Sequence, residues 1–176
     1  PFKPSKEFPL PIASILNDHL GGGSYSVLFR RIRHEKNLAY QVGTELTTFG
    51  HWNVLNVSAV VARGKVFESM EQIVQETGRL QQQGLPVADF EAARSRVLNS
   101  FDILEDSPQI LSNFLARSEP LPGVGMVATP NAHRQALRSI SIDQVNRMCR
   151  LFFHPSRRVV ALMGPVDGMQ LFKVQR

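Results

Sequence analysis

Apolar residues recur along most of this chain at spacings of three and four, the period of helices buried on one side. Ile12, Ile15, Leu16 and Leu20 form the first series and Gly21-Gly22-Gly23 stops it, predicting a short helix with a glycine end behind the proline-rich lead-in of residues 1–11. Ser24 suits the cap of a second helix with the stripe Tyr25, Leu28, Phe29 and Ile32, closing near Asn37. The period then changes. Residues 40–49 and the valine-rich residues 52–62 read as two strands of a hairpin turning at Gly50-His51.

Helical period returns at residues 65–83 through Val66, Phe67, Met70, Ile73, Val74 and Leu80, with Gly84 where a terminating glycine belongs. Pro86 suits the first turn of a helix whose buried line is Phe90, Ala93, Val97, Leu98, Phe101 and Leu104, punctuated by Asp106-Ser107-Pro108. Ile110, Leu111, Phe114 and Leu115 continue as a shorter helix, and residues 119–125 form a loop rich in proline and glycine. Thr129-Pro130 starts another helical piece. Ser141 and Gln144 match a capping box before Val145, Met148, Cys149 and Phe152, and His154-Pro155 ends that helix. Residues 158–163 are a compact apolar run short enough for a buried strand, and a final helix is expected from residue 166.

Six or seven helices with three strands give an α+β class, an antiparallel sheet with helices packed on one face. Three strands are few for that much helix, so one or more strands preceding Pro1, or supplied by another chain, are expected to complete the sheet. No repeat and no linker divides the 176 residues, which read as a single domain, residues 1–176, from a longer chain.

Composition narrows the picture. With 43% hydrophobic and 20% charged residues and average glycine and proline, collagen and disorder are excluded, and no run of about 18 apolar residues offers a membrane span. The single cysteine, Cys149, excludes an internal disulfide. Nothing in the chain marks a compartment. The net charge of +5 is densest at Arg30, Arg31, Arg33, His34 and Lys36 on one expected helix, where a solvated face explains it better than nucleic acid does.

The five histidines do not make a metal site by spacing: His34-Glu35 is followed by Leu38 where a zinc-binding H-E-x-x-H needs histidine, and no histidine has a partner four residues on. Cys149 lies on an apolar helix face, the position of an inert packing residue. The glycines at 21–23 lack the lysine and the preceding strand of a phosphate loop.

What remains is the run LGGGSYSVLFRRIRHEKNLAY, residues 20–40. It resembles a stretch in the second domain of the pitrilysin and insulinase family of inverted-zincin metallopeptidases, which includes the mitochondrial processing peptidase. The later elements follow the family's order, and the resemblance covers nearly the whole chain. Val27 stands where the family often has arginine and Asn37 where glycine is common; asparagine tolerates a left-handed turn.

The resemblance implies a LuxS and processing-peptidase type of fold and half of a catalytic apparatus. A zinc-bearing H-x-x-E-H domain or subunit would be the partner, a peptide the substrate, and zinc the cofactor on that partner, with none on this chain. Arg33 and Tyr40, seven residues apart, correspond to the pair that reaches into the partner's site to hold substrate. Gly21, Gly22 and Gly23 correspond to a loop at the interface between the halves. The alternative is an inactive structural or assembly subunit of the same fold. A homodimer formed through a sheet edge is a further expectation.

Overall fold

A computed structural model describes residues 10–49, 52–118 and 129–164. Helix α1 (Leu10–Gly21) is followed by a π-helix (Phe29–Glu35), strands β1 (Ala39–Phe49) and β2 (Trp52–Val61), and a 3-10 turn at Arg63–Lys65. Four longer segments come next: α2 (Val66–Gln83), α3 (Val87–Asp106), α4 (Pro108–Ser118) and α5 (Pro130–Ser139). They are followed by α6 (Ile142–Phe152) and a 3-10 turn at Pro155–Arg157. The expected turn at Gly50-His51, the loop at 119–125, the lead-in before residue 10 and the helix from residue 166 lie outside the described residues.

The order of elements follows the periodicity. In α1 the residues Ile12, Ile15, Leu16 and Leu20 are buried, as their spacing requires, and they meet Phe90, Ala93 and Phe101 of α3, Leu137 of α5, and Val145, Met148 and Cys149 of α6 in one core. Caps hold the helix ends. Thr129 accepts from the amide of Ala132 at 3.2 Å, and Ser141 and Gln144 form the reciprocal box, with bonds of 3.3 and 2.8 Å. Gly84 closes α2 at φ +72°, a conformation that a side chain would strain.

The strands β1 and β2 pair antiparallel, with Val42, Thr44 and Leu46 opposite Ala59, Val57 and Leu55 on the face that meets the helices. The other face carries Gln41, Glu45, Asn56 and Val60, all exposed. Among the described residues, one face is therefore covered by helices and the other is bare, the arrangement expected of the α+β class.

Three expectations need correction. Residues 158–163 are not a strand, because no described residue completes a ladder with them. The second helix does not begin at Ser24: a turn closes first, with the amide of Ser26 on the carbonyl of Gly23 at 3.0 Å, and Tyr25 stands at the surface, outside the buried stripe of Leu28 and Ile32. Pro86 precedes α3 in extended conformation instead of occupying its first turn.

A buried histidine tunes stability. His133 on α5 packs against the rings of Phe101 and Phe114 at centroid distances of 5.3 and 6.0 Å, and its Nδ1 has no hydrogen-bond partner among the described residues. Burial holds its pKa below the ordinary 6.5. At neutral pH both folded and unfolded chains carry it neutral; as pH falls below 6.5 the unfolded chain takes up a proton that the folded chain refuses, and stability drops. Chemical denaturation is therefore expected to give a lower midpoint at pH 5 than at pH 7.5, with the difference reduced in His133→Leu. His19, whose pKa burial also lowers, accounts for a remaining acid-dependent loss.

Candidate functional site

The residues singled out by the sequence lie on three neighbouring parts of the fold: the glycine triplet at the end of α1 against the middle of β1, Arg33 in the π-helix and Tyr40 at the start of β1. Gly21 ends α1 directly on β1. A Cβ there would lie 2.5 Å from the backbone nitrogen of Thr44, and the Thr44 hydroxyl donates to the carbonyl of Asn17 at 3.0 Å. The glycine is thus required by close approach of helix and strand. A Cβ on Gly22 would meet Asp18 Cα at 2.7 Å, and one on Gly23 the Tyr25 ring at 2.9 Å, so the whole triplet is packed against its neighbours.

A brace lies behind the triplet that sequence reasoning missed. Asp18 of α1 is largely buried, accepts from the Tyr25 hydroxyl at 2.6 Å, and meets Arg96 of α3 through Nε at 2.9 Å and Nη2 at 2.8 Å. The Arg96 guanidinium also lies 4.2 Å from the centre of the Tyr25 ring. Burial and the bond to Asp18 push the Tyr25 phenol above its ordinary pKa. The signal was a carboxylate three residues after Ile15, on the core-facing side of an apolar helix, where a charge requires a partner.

Beyond this turn the backbone widens into the π-helix, with the amide of Lys36 bonded to the carbonyl of Arg31 at 3.2 Å. Ile32 points into the core and Arg33, next to it, points out. Two neighbouring cations are engaged: Arg30 meets Glu35 at 3.7 Å, and Arg31 meets Glu35 at 3.3 Å and the buried Glu76 of α2 at 3.5 Å. Arg33 makes no ion pair among the described residues; its guanidinium lies 5.0 Å from the centre of the Phe29 ring.

Asn37 then takes φ 49°, keeping the left-handed turn that glycine would otherwise supply. The chain enters β1 through a bulge: Ala39 is opposite Val61 and Gln41 opposite Val60, which leaves Tyr40 as the extra residue. Ala39 and Val42 can therefore both be buried while Tyr40 and Gln41 both face out. The Tyr40 side chain is 71% exposed, with no hydrogen bond among the described residues. The π-helix packs against β1, so Arg33 and Tyr40 stand on adjoining elements, both exposed among the described residues.

These residues do not fit a metal. No three of His, Cys, Asp and Glu come together among the described residues. His19 and His133 are buried on different helices, and the Cys149 thiol is fully buried with its pKa pushed up to about 12, far from a thiolate ligand or nucleophile.

The model of the peptidase M16 inactive domain matches residues 7–97, which include the glycine triplet, Arg33 and Tyr40. The chain belongs to this family. The resemblance at residues 20–40 is thereby borne out. The M16 inactive domain described here is 29% identical over 153 residues to an uncharacterized zinc protease of Mycobacterium leprae, matching 86% of this chain and 34% of that one. It is 23% identical over 155 residues to another of Bacillus subtilis, matching 88% and 37%. The chain thus spans about a third of these relatives' length. In fold it is similar to the inactive peptidase domain of a Bordetella parapertussis protein, with a TM-score of 0.70 at 16% identity, covering 96% of this chain and 89% of that one. A protease from Helicobacter pylori is also similar, with a TM-score of 0.70 at 16% identity over 86% of this chain and 36% of that one.

Proposed function

We propose that this chain is the non-zinc half of a zinc-dependent metalloendopeptidase and lends Arg33 and Tyr40 to a site whose metal is held by an H-x-x-E-H domain or subunit. The observation that carries the reading is the pair itself. Two exposed donors, without acid or hydrogen-bond partners among the described residues, sit on adjoining elements that depart from regular geometry where each is presented. The names of the curated relatives, zinc proteases about three times the length matched here, support a longer protein that also contains the metal-bearing part.

The chemistry suits the residues. The Arg33 guanidinium offers donors in a fixed fork to the carbonyls of an extended peptide. The Tyr40 phenol can donate to the oxygen of the scissile carbonyl, where negative charge grows in the transition state. Neither abstracts a proton. Zinc on the partner would supply Lewis-acid chemistry. Gly21, Gly22 and Gly23 belong to this reading as the loop that bounds the interface between the halves.

The complete polypeptide, or this chain mixed with its zinc-bearing partner, is expected to bind zinc and cleave unstructured peptides, whereas the 176-residue chain alone does neither. Zinc analysis and a fluorogenic peptide assay on both preparations test this. A complete assembly free of zinc and without peptidase activity would overturn the reading in favour of a structural subunit. Stoichiometric zinc with chelator-sensitive turnover on the isolated chain would overturn it in the other direction.

A further inference from the structure

Ile32 is the one buried residue of the π-helix, and residues 33–37 are all exposed. Leu28, one turn earlier, is also buried, so the segment meets the core along a single apolar stripe. Two contacts on one line resist tilting but leave the segment free to roll about that line, and a roll swings Arg33. The wide turn is in addition the rarer helical form. Its amides at Lys36 and Leu38 reach back to the carbonyls of Arg31 at 3.2 Å and Ile32 at 2.8 Å, five and six residues earlier. The direction in which Arg33 leaves the backbone therefore needs an attachment off the stripe.

Glu76 supplies one. It stands on α2, is 5% exposed, and its carboxylate spans two guanidiniums: Oε1 meets Arg31 Nε at 3.5 Å and Oε2 meets Arg79 Nη1 at 3.5 Å. Arg79 belongs to α2 itself, so the Arg31 arm is the one that crosses to the π-helix. Arg31 in turn meets Glu35 at the far end of the same π-helix, at 3.3 Å, which ties both ends of the wide turn to α2. Burying a carboxylate is costly, and an apolar residue of similar size would fill the place without that cost. Packing alone does not explain Glu76.

We infer that Glu76 is a positioning residue for the proposed peptidase reaction: through Arg31 it fixes the roll of the π-helix, and with it the direction in which Arg33 is held toward substrate. This assignment rests on the role proposed for Arg33. Glu76 makes no contact with substrate itself, since its carboxylate is buried and taken up by the two guanidiniums.

Kinetics and amide hydrogen exchange on the complete polypeptide test it. Glu76→Gln and Arg31→Gln each cut the arm, and the second leaves the buried carboxylate paired with Arg79, which keeps a folded variant in hand. Each is expected to lower kcat/KM by at least about threefold, the effect of misdirecting a substrate-orienting group. In an Arg33→Ala background neither should change kcat/KM by more than about 1.5-fold, whereas a general loss of structure would lower the rate in both backgrounds. The amides of Lys36 and Leu38 should exchange at least about threefold faster in both variants, with protection in α1 and β1 unchanged. Arg79→Ala, which keeps the arm, should leave both readouts at the parent level. Equal losses with and without Arg33, or unchanged exchange at Lys36 and Leu38, would overturn the inference. So would parent rates in Glu76→Gln and Arg31→Gln while Arg33→Ala is slow, a result that leaves the role of Arg33 standing. Full activity in Arg33→Ala would overturn that role and this inference with it.

Discussion

Arg33→Ala in the complete polypeptide is expected to lower peptidase turnover by at least about tenfold while bound zinc stays at the unmutated level. The argument rests on what Arg33 does not do. It has no ion pair among the described residues, and its contact with Phe29 lies at the surface, so its loss should change stability by no more than about 0.5 kcal/mol. A fall in rate cannot then be blamed on unfolding. Tyr40→Phe makes the companion test. It removes one hydroxyl that has no described hydrogen bond in the fold and keeps the ring, so the melting temperature should hold while turnover drops by a similar factor. Arg33→Lys should recover only part of the loss, because an ammonium lacks the planar fork. Steady-state kinetics with zinc analysis and thermal melts decide the matter. Full activity in both Arg33→Ala and Tyr40→Phe would remove these residues from the site.

A second pair of substitutions separates packing from helix propensity. Gly78 lies inside α2, where glycine costs about 1 kcal/mol relative to alanine, whereas Gly21 is the last residue of α1. At Gly78 a Cβ would meet nothing within 4 Å, so Gly78→Ala should stabilise by roughly that amount. At Gly21 the same methyl would sit 2.5 Å from the Thr44 backbone nitrogen and 2.6 Å from two of its side-chain atoms. Rotating Thr44 cannot move its backbone, and forcing α1 off β1 costs about 1–3 kcal/mol, occasionally more. The clash therefore wins, and Gly21→Ala should destabilise by about 2 kcal/mol net. Urea denaturation of both variants should move the midpoints in opposite directions. A Gly21→Ala protein as stable as its parent would mean that helix and strand are not in this close contact.

Much of this arrangement was legible in the sequence because helical burial writes itself at spacings of three and four. The stripes of α1, α3 and α6 and the capping box at Ser141 came through intact. The hairpin was legible by its change of period, but not the bulge within it. Its trace was there: Ala39 and Val42, both apolar, lie three apart in a strand that should alternate by two. The π-helix left no such trace, since Leu28 and Ile32 keep the same spacing in either helix. Residues 158–163 misled because an apolar run records a preference for burial, whereas a ladder needs a neighbour that their own sequence cannot specify. Of the candidate site, Arg33 and Tyr40 were named through the resemblance, and the structure adds that both are exposed. The Asp18–Tyr25–Arg96 brace was not, because its third member lies 78 residues from its first and only the folded chain brings them together.

The bulge at Tyr40 also makes that position a port. Elsewhere in β1 a side chain answers to the residue across the ladder, so a bulkier or more polar group disturbs its opposite number. Tyr40 has no such counterpart, because Ala39 and Gln41 take the consecutive partners Val61 and Val60. The strand can carry a foreign group there, such as a fluorinated tyrosine or a small dye, without renegotiating its register. A reporter would then sit on the face of the sheet that the described helices leave uncovered, placed to sense whatever approaches it.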